Sequence, residues 1–227
     1  MPLTKLDAAH WRLRNQRLTG DVAADPLMVV REFCGVQPEN YSQASWAIAT
    51  RSAEVTETSF SRLYDDGHLL RTHVLRPTWH FVLPDDISWL LDLSRPRVQR
   101  SWERQLEQYG IDQTRWEHAA TIVNDALTGT QLTRRQLGDR LTTEGMTLSG
   151  HILMLIAGLA EVHGLICSGP RNDDDDEHTY ALFSERVPTT RRLDKPDAVV
   201  EVVVRYLRPT RTGNRTRHRL LVNTANR

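Results

Sequence analysis

An order of elements that occurs twice, a group of short helices followed by an extended hairpin, limits what this chain can fold into more than any other feature. The first helix is read over residues 4 to 18, with Leu6, Trp11, Leu13 and Leu18 set among Arg12, Arg14 and Arg17. Asp25-Pro26 then supplies an N-cap before a proline at the first helical position, and Leu27, Val30, Phe33 and Cys34 fill one face up to Gly35. Ser42 is read as the cap of a helix through Arg51, and Thr56 or Thr58 as the start of another that ends at Asp65-Asp66-Gly67. The pattern then turns extended: Leu69 to Leu75 and Trp79 to Val82 are β-branched and aromatic, with Arg76-Pro77 as the turn of a hairpin. Helix, helix, helix, hairpin is the winged-helix order.

The second half repeats it. Thr133 caps a helix with Leu137 and Leu141 on one face and a stop at Gly145. Ser149 opens the next, with Ile152, Leu153, Leu155, Ile156 and Leu159 buried, as far as His163-Gly164. Leu165-Ile166-Cys167 and His178 to Phe183 form a second hairpin around Gly169-Pro170. Between the repeats, Pro84-Asp85 starts one helix, Ser94 caps another that runs to Tyr109-Gly110, and Asp112 to Leu127 forms a long amphipathic one. The expected fold is therefore α+β, mostly helical, built of tandem winged-helix units. Residues 1–84 form the first unit, 85–128 the connecting helices and 129–190 the second unit. Residues 191–207 give the first helix of an incomplete third unit, with Val199, Val202 and Val203 exposed. Residues 208–227 form a basic tail, disordered because Gly213 to Arg219 cannot bury a face.

At 227 residues the chain can bury one large core or two small ones. No run approaches eighteen apolar residues and the start lacks a signal-peptide core, which points to the cytoplasm, with no membrane contact. Cys34 and Cys167 sit outside any Cys-x-x-Cys or Cys/His cluster, so no zinc site, other metal or cofactor is expected, and both read as small buried residues. From Val202 onward there are seven arginines and no acid, which leaves 22 bases against 29 acids in residues 1–201, a balance of −7. A main body of that sign can meet DNA only through local clusters of arginine and lysine.

One turn carries chemistry. Gly35-Val36-Gln37-Pro38-Glu39-Asn40-Tyr41 presents an amide and a carboxylate two residues apart, so both point the same way and can hold one water between them. The plain alternative is a polar turn in which Pro38 fixes φ. Arg71, Arg76, Thr78 and His80 alternate along the first hairpin with Val74, Leu75 and Trp79, which suits either a wing laid on a phosphate backbone or a half-buried hairpin with a solvated face. Arg134 and Arg135 at a helix N-terminus suit a phosphate or a capped helix with exposed bases. The run Asp173 to Asp176 would repel phosphates and is expected to point away from DNA.

Several segments resemble the winged-helix DNA glycosylase superfamily typified by AlkZ and YcaQ. They are the basic helix Trp11 to Leu18, Gly35 to Glu39 leading into Trp46 to Arg51, Leu70 to Val82, Leu132 to Arg135, Gly164 to Pro170, Thr179 to Phe183 and Glu185 to Pro188. The resemblance covers about residues 10 to 207. It implies that the family's catalytic motif, Gln-x-Gln or Gln-x-Asp, falls on Gln37-Pro38-Glu39. Glu39 departs from both forms, keeping the carboxylate of one and the chain length of the other. The superfamily also carries three winged helices and a C-terminal β-barrel, where this chain has at most one helix of the third unit and no barrel.

On that resemblance the expected partner is double-stranded DNA, alkylated DNA included, bound by a monomer. The expected reaction is hydrolysis of the N-glycosidic bond of an alkylated purine, with Glu39 activating water and Gln37 fixing it. Two other readings stay open: a non-catalytic winged-helix binder or regulator, against which Ile152 to Leu159 is too apolar for a recognition helix, and a truncated, inactive relative.

Overall fold

The computed structural model describes residues 4–171, 178–187 and 191–207. The wing run Asp173 to Asp176 and the tail 208–227 lie outside the described residues. Ten helices and five short strands are found among the described residues. Helix α1 (Lys5–Asn15) opens with a capping box between Thr4 and Asp7. Helix α2 (Pro26–Phe33) has Asp25 as its N-cap and Cys34 in the left-handed conformation at its end. Helix α3 (Tyr41–Ala49) is capped by Asn40, whose side chain accepts from the Gln43 amide at 2.9 Å. The cap thus lies two residues before Ser42, because Asn40 is already extended and its amide oxygen reaches the free N–H. Helix α4 (Glu57–Asp65) is capped by Thr56. Strands β1 (Leu70–His73) and β2 (Trp79–Val82) form the first hairpin, with Leu70 opposite Val82 and His73 opposite Trp79.

The connecting region differs from expectation. Helix α5 (Pro84–Gln108) is one helix of 25 residues with Pro96 inside it. Ser94 caps nothing: its hydroxyl donates back to the Leu90 carbonyl at 2.6 Å. The helix continues through the proline because its two halves are buried in different cores, by Ile87, Leu90 and Leu91 on one side of Pro96 and Val98, Trp102 and Leu106 on the other. Helix α6 (Gln113–Leu127) follows its Asp112 cap.

In the second half the short strand β3 (Leu132–Thr133) precedes helix α7 (Arg134–Thr143), where Thr133 and Gln136 form a capping box. Helix α8 (Gly150–His163) runs from Ser149 to a left-handed Gly164, and strands β4 (Ile166–Ser168) and β5 (Thr179–Leu182) follow. β3 pairs with β5, so the expected hairpin is a three-stranded antiparallel sheet in the order β3-β5-β4. A short helix α9 (Phe183–Arg186) and helix α10 (Lys195–Leu207) complete the fold. No helix among the described residues is long and apolar enough to cross a membrane.

Three apolar clusters result. Phe81 is the centre of one, with Tyr41, Phe60 and Tyr64 edge-on at 5.7, 6.0 and 5.9 Å. A second joins β1, β2 and the start of α5 to Cys34, Cys167, Val187 and Ala198. Burial there pushes the Cys34 thiol up to about 11 and Cys167 up to about 12, so both stay protonated and packed. The largest surrounds α8, where Trp102 of α5 lies against Gly158 so closely that a Cβ there would sit 1.8 Å from the ring.

The two halves are tied by polar groups in dry surroundings. Glu161, fully buried in α8, accepts from His73 Nδ1 and from Trp79 Nε1, the latter at 3.2 Å. The Arg71 amide donates to Ser168 Oγ at 2.8 Å, and Arg186 Nη2 donates to the Tyr64 carbonyl at 2.6 Å. Tyr64 Oη and His178 Nδ1 are 3.3 Å apart. At the other end, Arg205 of α10 grips Asp86 with two bonds of 2.5 and 2.9 Å, Asp86 also accepts from Trp89 Nε1, and Glu201 accepts from Arg205 Nε. The first arginine of the basic C-terminal stretch is therefore a buried structural residue. Val202 packs on the second cluster instead of facing solvent, whereas Val199 and Val203 are exposed.

Glu161→Ala should destabilise the fold by roughly 3 kcal/mol, as expected when one partner of a buried pair is removed; urea unfolding checks this. Acid should act at the same junction. Burial holds the His178 ring well below the usual histidine range, with the charges of Arg71, His73 and Arg134 adding to the effect, and burial lowers His80 and His163 as well. The unfolded chain would take up these protons and the folded one resists them. Stability is therefore full above about pH 6.5 and falls as pH drops below it. Calorimetric melting at pH 7.5 and 5.5 should show a loss that His178→Asn reduces.

Candidate active site

The turn after α2 is positioned by its backbone. Cys34 ends the helix with φ 59° and Gly35 follows with φ 117°, which swings the chain towards the outer edge of β2. There Val36 and Phe81 exchange two backbone hydrogen bonds, of 3.1 and 2.7 Å, so the turn adds a one-residue strand beside the hairpin. Counted on from that pair, Gln37 comes opposite His80 and Glu39 opposite Thr78. Pro38 is buried between two exposed side chains, and Asn40 then starts α3.

Gln37 and Glu39 do point the same way, and they meet directly. Gln37 Nε2 donates to Glu39 Oε1 at 3.0 Å, and Arg76 Nη2, from the hairpin turn, donates to Gln37 Oε1 at 2.5 Å. A guanidinium can only donate, so its contact fixes which end of the amide is oxygen and leaves the amide nitrogen towards the carboxylate. The three side chains form an exposed line: cation, amide, carboxylate. A second hydrogen on Gln37 Nε2 and the other oxygen of Glu39 are left to engage a water or a substrate atom.

Beneath this line lie Thr78 and His80. His80 is 5% exposed, with Nδ1 3.0 Å from the Thr78 carbonyl. Burial lowers its pKa, the Thr78 carbonyl opposes this, and the Glu39 carboxylate is near enough to pull it upward too. The half-buried Thr78 has its hydroxyl oxygen shielded and without a hydrogen-bond partner among the described residues. A cleft of about 140 Å³ adjoins the turn, lined by Val29, Phe33, Gly35, Val36, Ile48 and Arg51 among others.

The other residues singled out in the sequence lie elsewhere. Arg71 is 6% exposed, its guanidinium 4.4 Å from the centre of the Trp79 ring. By register it pairs with Phe81, which sets it on the hairpin face opposite His80, so a phosphate contact from Arg71 does not fit this structure. Arg134 and Arg135 are exposed in the first turn of α7, and among the described residues no hydrogen bond or ion pair joins them to the Gln37 line. No group of three His, Cys, Asp or Glu that could hold a metal occurs among the described residues. Sequence reading missed Glu161, His73, Trp79 and His178 as a network behind the hairpin. The available signal was Glu161 itself, one acid in the otherwise apolar run Ile152 to Val162, since an acid in such surroundings must be paired.

Residues 30–216 match the family of AlkZ-like DNA glycosylases. The chain belongs to that family. It is 25% identical over 208 residues to an interstrand DNA cross-link repair glycosylase of Streptomyces sahachiroi, a match that takes in 86% of this chain and 54% of the relative. The solved structure of the Streptomyces sahachiroi DNA glycosylase AlkZ has a similar fold, with a TM-score of 0.70 and 24% identity over 91% of this chain and 57% of that one. The chain thus spans about half the length of these AlkZ-like proteins.

Gly35→Ala should disturb the site without emptying the core. A Cβ there would meet the Phe81 carbonyl at 3.4 Å and Val82 Cγ1 at 3.5 Å, on a backbone that side chains rarely adopt. A cost of about 1–3 kcal/mol is expected, read as a lower melting temperature together with weaker protection of the Val36 amide from hydrogen exchange.

Proposed function

We propose that this chain is a DNA repair glycosylase that hydrolyses the N-glycosidic bond of an alkylated purine in double-stranded DNA, working as a cytoplasmic monomer. The supporting observation is the hydrogen-bonded line from Arg76 through Gln37 to Glu39, at the turn onto which the sequence resemblance puts the family's catalytic motif. Residues 1–84 and 129–190 serve as two winged-helix units, and Arg76, Thr78 and His80 line the approach to the reacting sugar.

An N7-alkylated purine is already cationic, so it leaves without a protonated acid. The C1′–N9 bond breaks, its electron pair passes to the base, and positive charge develops on the sugar as in glycoside hydrolysis. The free oxygen of Glu39 faces that charge and takes a proton from the attacking water, whose oxygen bonds to C1′. Gln37 donates to the water through the amide hydrogen not used by Glu39. Arg76 holds the amide in that orientation, and Thr78 and His80 give the turn a shaped, partly dry floor. Arg134 and Arg135 contact phosphate from the α7 N-terminus.

The test is release of the base from duplex DNA containing N7-methylguanine, scored as alkali-labile sites under single-turnover conditions. Glu39→Ala should slow release by about 10²-fold or more, and Gln37→Ala by roughly tenfold or more. Glu39→Gln, which restores one form of the family motif, should retain more activity than Glu39→Ala. Equal release by wild type and Glu39→Ala would remove Glu39 from the mechanism. Binding without release in every form would make the chain a non-catalytic relative.

A further inference from the structure

The outer face of α5 carries a feature that the site does not use. Arg97, Arg100, Ser101, Arg104 and Gln105 line an open groove of about 360 Å³ along the helix. At 100° per residue, positions 97, 100, 101 and 104 fall within an arc of about 100°, opposite the buried Val98, Trp102 and Leu106. The three arginines are exposed, spaced three and four residues apart, and so stand at intervals of about 5–6 Å over roughly 10 Å of helix.

Their pairing sets them apart from their neighbour. Arg95, two residues before Arg97, is committed to Asp92 at 3.2 Å and to the Val162 carbonyl at 3.1 Å. Among the described residues no carboxylate lies within 4.0 Å of the guanidinium of Arg97, Arg100 or Arg104. Arg100 only donates from Nε to the Pro96 carbonyl, and the nearby Glu103 accepts from Gln99. Three unneutralised guanidinium groups in a line are costly in self-repulsion, and they occur here in a body whose residues 1–201 carry a balance of −7.

From this we infer that the α5 face is a second DNA contact, seated on the phosphate backbone away from the reacting base; the choice of DNA as partner rests on the glycosylase reading. Guanidinium forks match phosphate oxygens two at a time, and a row of them follows a strand of closely spaced charges. The contact is indifferent to sequence and to damage. It holds undamaged duplex as well as a lesion.

The test uses the full chain and a fluorescently labelled, undamaged duplex of about 25 base pairs, with affinity measured by anisotropy across a KCl series. The variant Arg97→Gln/Arg100→Gln/Arg104→Gln should bind at least about tenfold more weakly near 0.1 M salt, and its slope of log affinity against log salt should be shallower by about two to three. All three side chains are exposed, so its melting temperature should be unchanged. A charge-matched control, Lys5→Gln/Arg115→Gln/Arg140→Gln, should lose much less. Single-turnover base release at saturating protein should stay within about twofold of wild type. Loss of release with normal duplex affinity in a Glu39 variant would concern the catalytic reading alone. Wild-type affinity and slope in the triple variant, or an equal loss in the control, would overturn the inference. Polyglutamate binding that the triple variant loses while duplex binding stays intact would overturn it too, giving the face to an acidic protein.

Discussion

The carboxylate of Glu161 organises the molecule. It is fully buried, and an acid placed there costs several kcal/mol unless protein groups replace its hydration. His73 and Trp79 do so at one of its oxygens, Oε2, and they are the paired residues at the turn end of the first hairpin. The second half of the chain thereby grips the first at the strand ends next to the turn that carries Arg76. On the far edge of the same hairpin, Phe81 holds Val36. The position of Gln37 and Glu39 is thus set through a row of bonds running from α8 across β1 and β2 to the turn. Arg71, stacked on Trp79, and His178, against Tyr64, close the same region from the side.

Much of this was legible in the residues. Asp25 and Thr133 cap where they were expected to, and Asp112 and Ser149, read as the first residues of their helices, prove to be their caps, because each short polar side chain precedes apolar periodicity. The hairpins follow from β-branched and aromatic runs broken by Arg76-Pro77 and Gly169-Pro170. What could not be read was anything decided by partners distant in sequence. Pro96 signals a break in a helix taken alone, and only burial of both flanks keeps α5 continuous. Arg71 and Arg205 look like surface charges until Trp79 and Asp86 are placed beside them. β3 has two residues and no pattern of its own, and it exists because β5 offers an unpaired edge.

At the turn, the shared direction of Gln37 and Glu39 was visible in the sequence and their internal geometry was not. Spacing of two predicts a shared direction for Gln37 and Glu39, but the direct bond between them and the hold of Arg76 on the amide depend on the hairpin turn reaching across. The family relationship gives the turn its chemical context, and the departure at Glu39 gives it a distinct character. A glutamate only accepts when ionised, so the Gln37 amide has a single orientation that satisfies Arg76 and Glu39 together. A glutamine at that position would offer a donor as well and allow more than one arrangement.

The unbroken α5 has a mechanical consequence. At 25 residues it is a rod of about 37 Å, with one half embedded in the core beneath the first hairpin and the other against α8, and the polar bonds from Glu161, Ser168 and Arg186 cross-brace the same two parts. No swivel is left between them. If the proposed activity holds, such a protein would not fold around a helix of DNA by closing; the bending or opening needed to reach Glu39 would be taken up by the nucleic acid, whose stiffness would then become part of the selection.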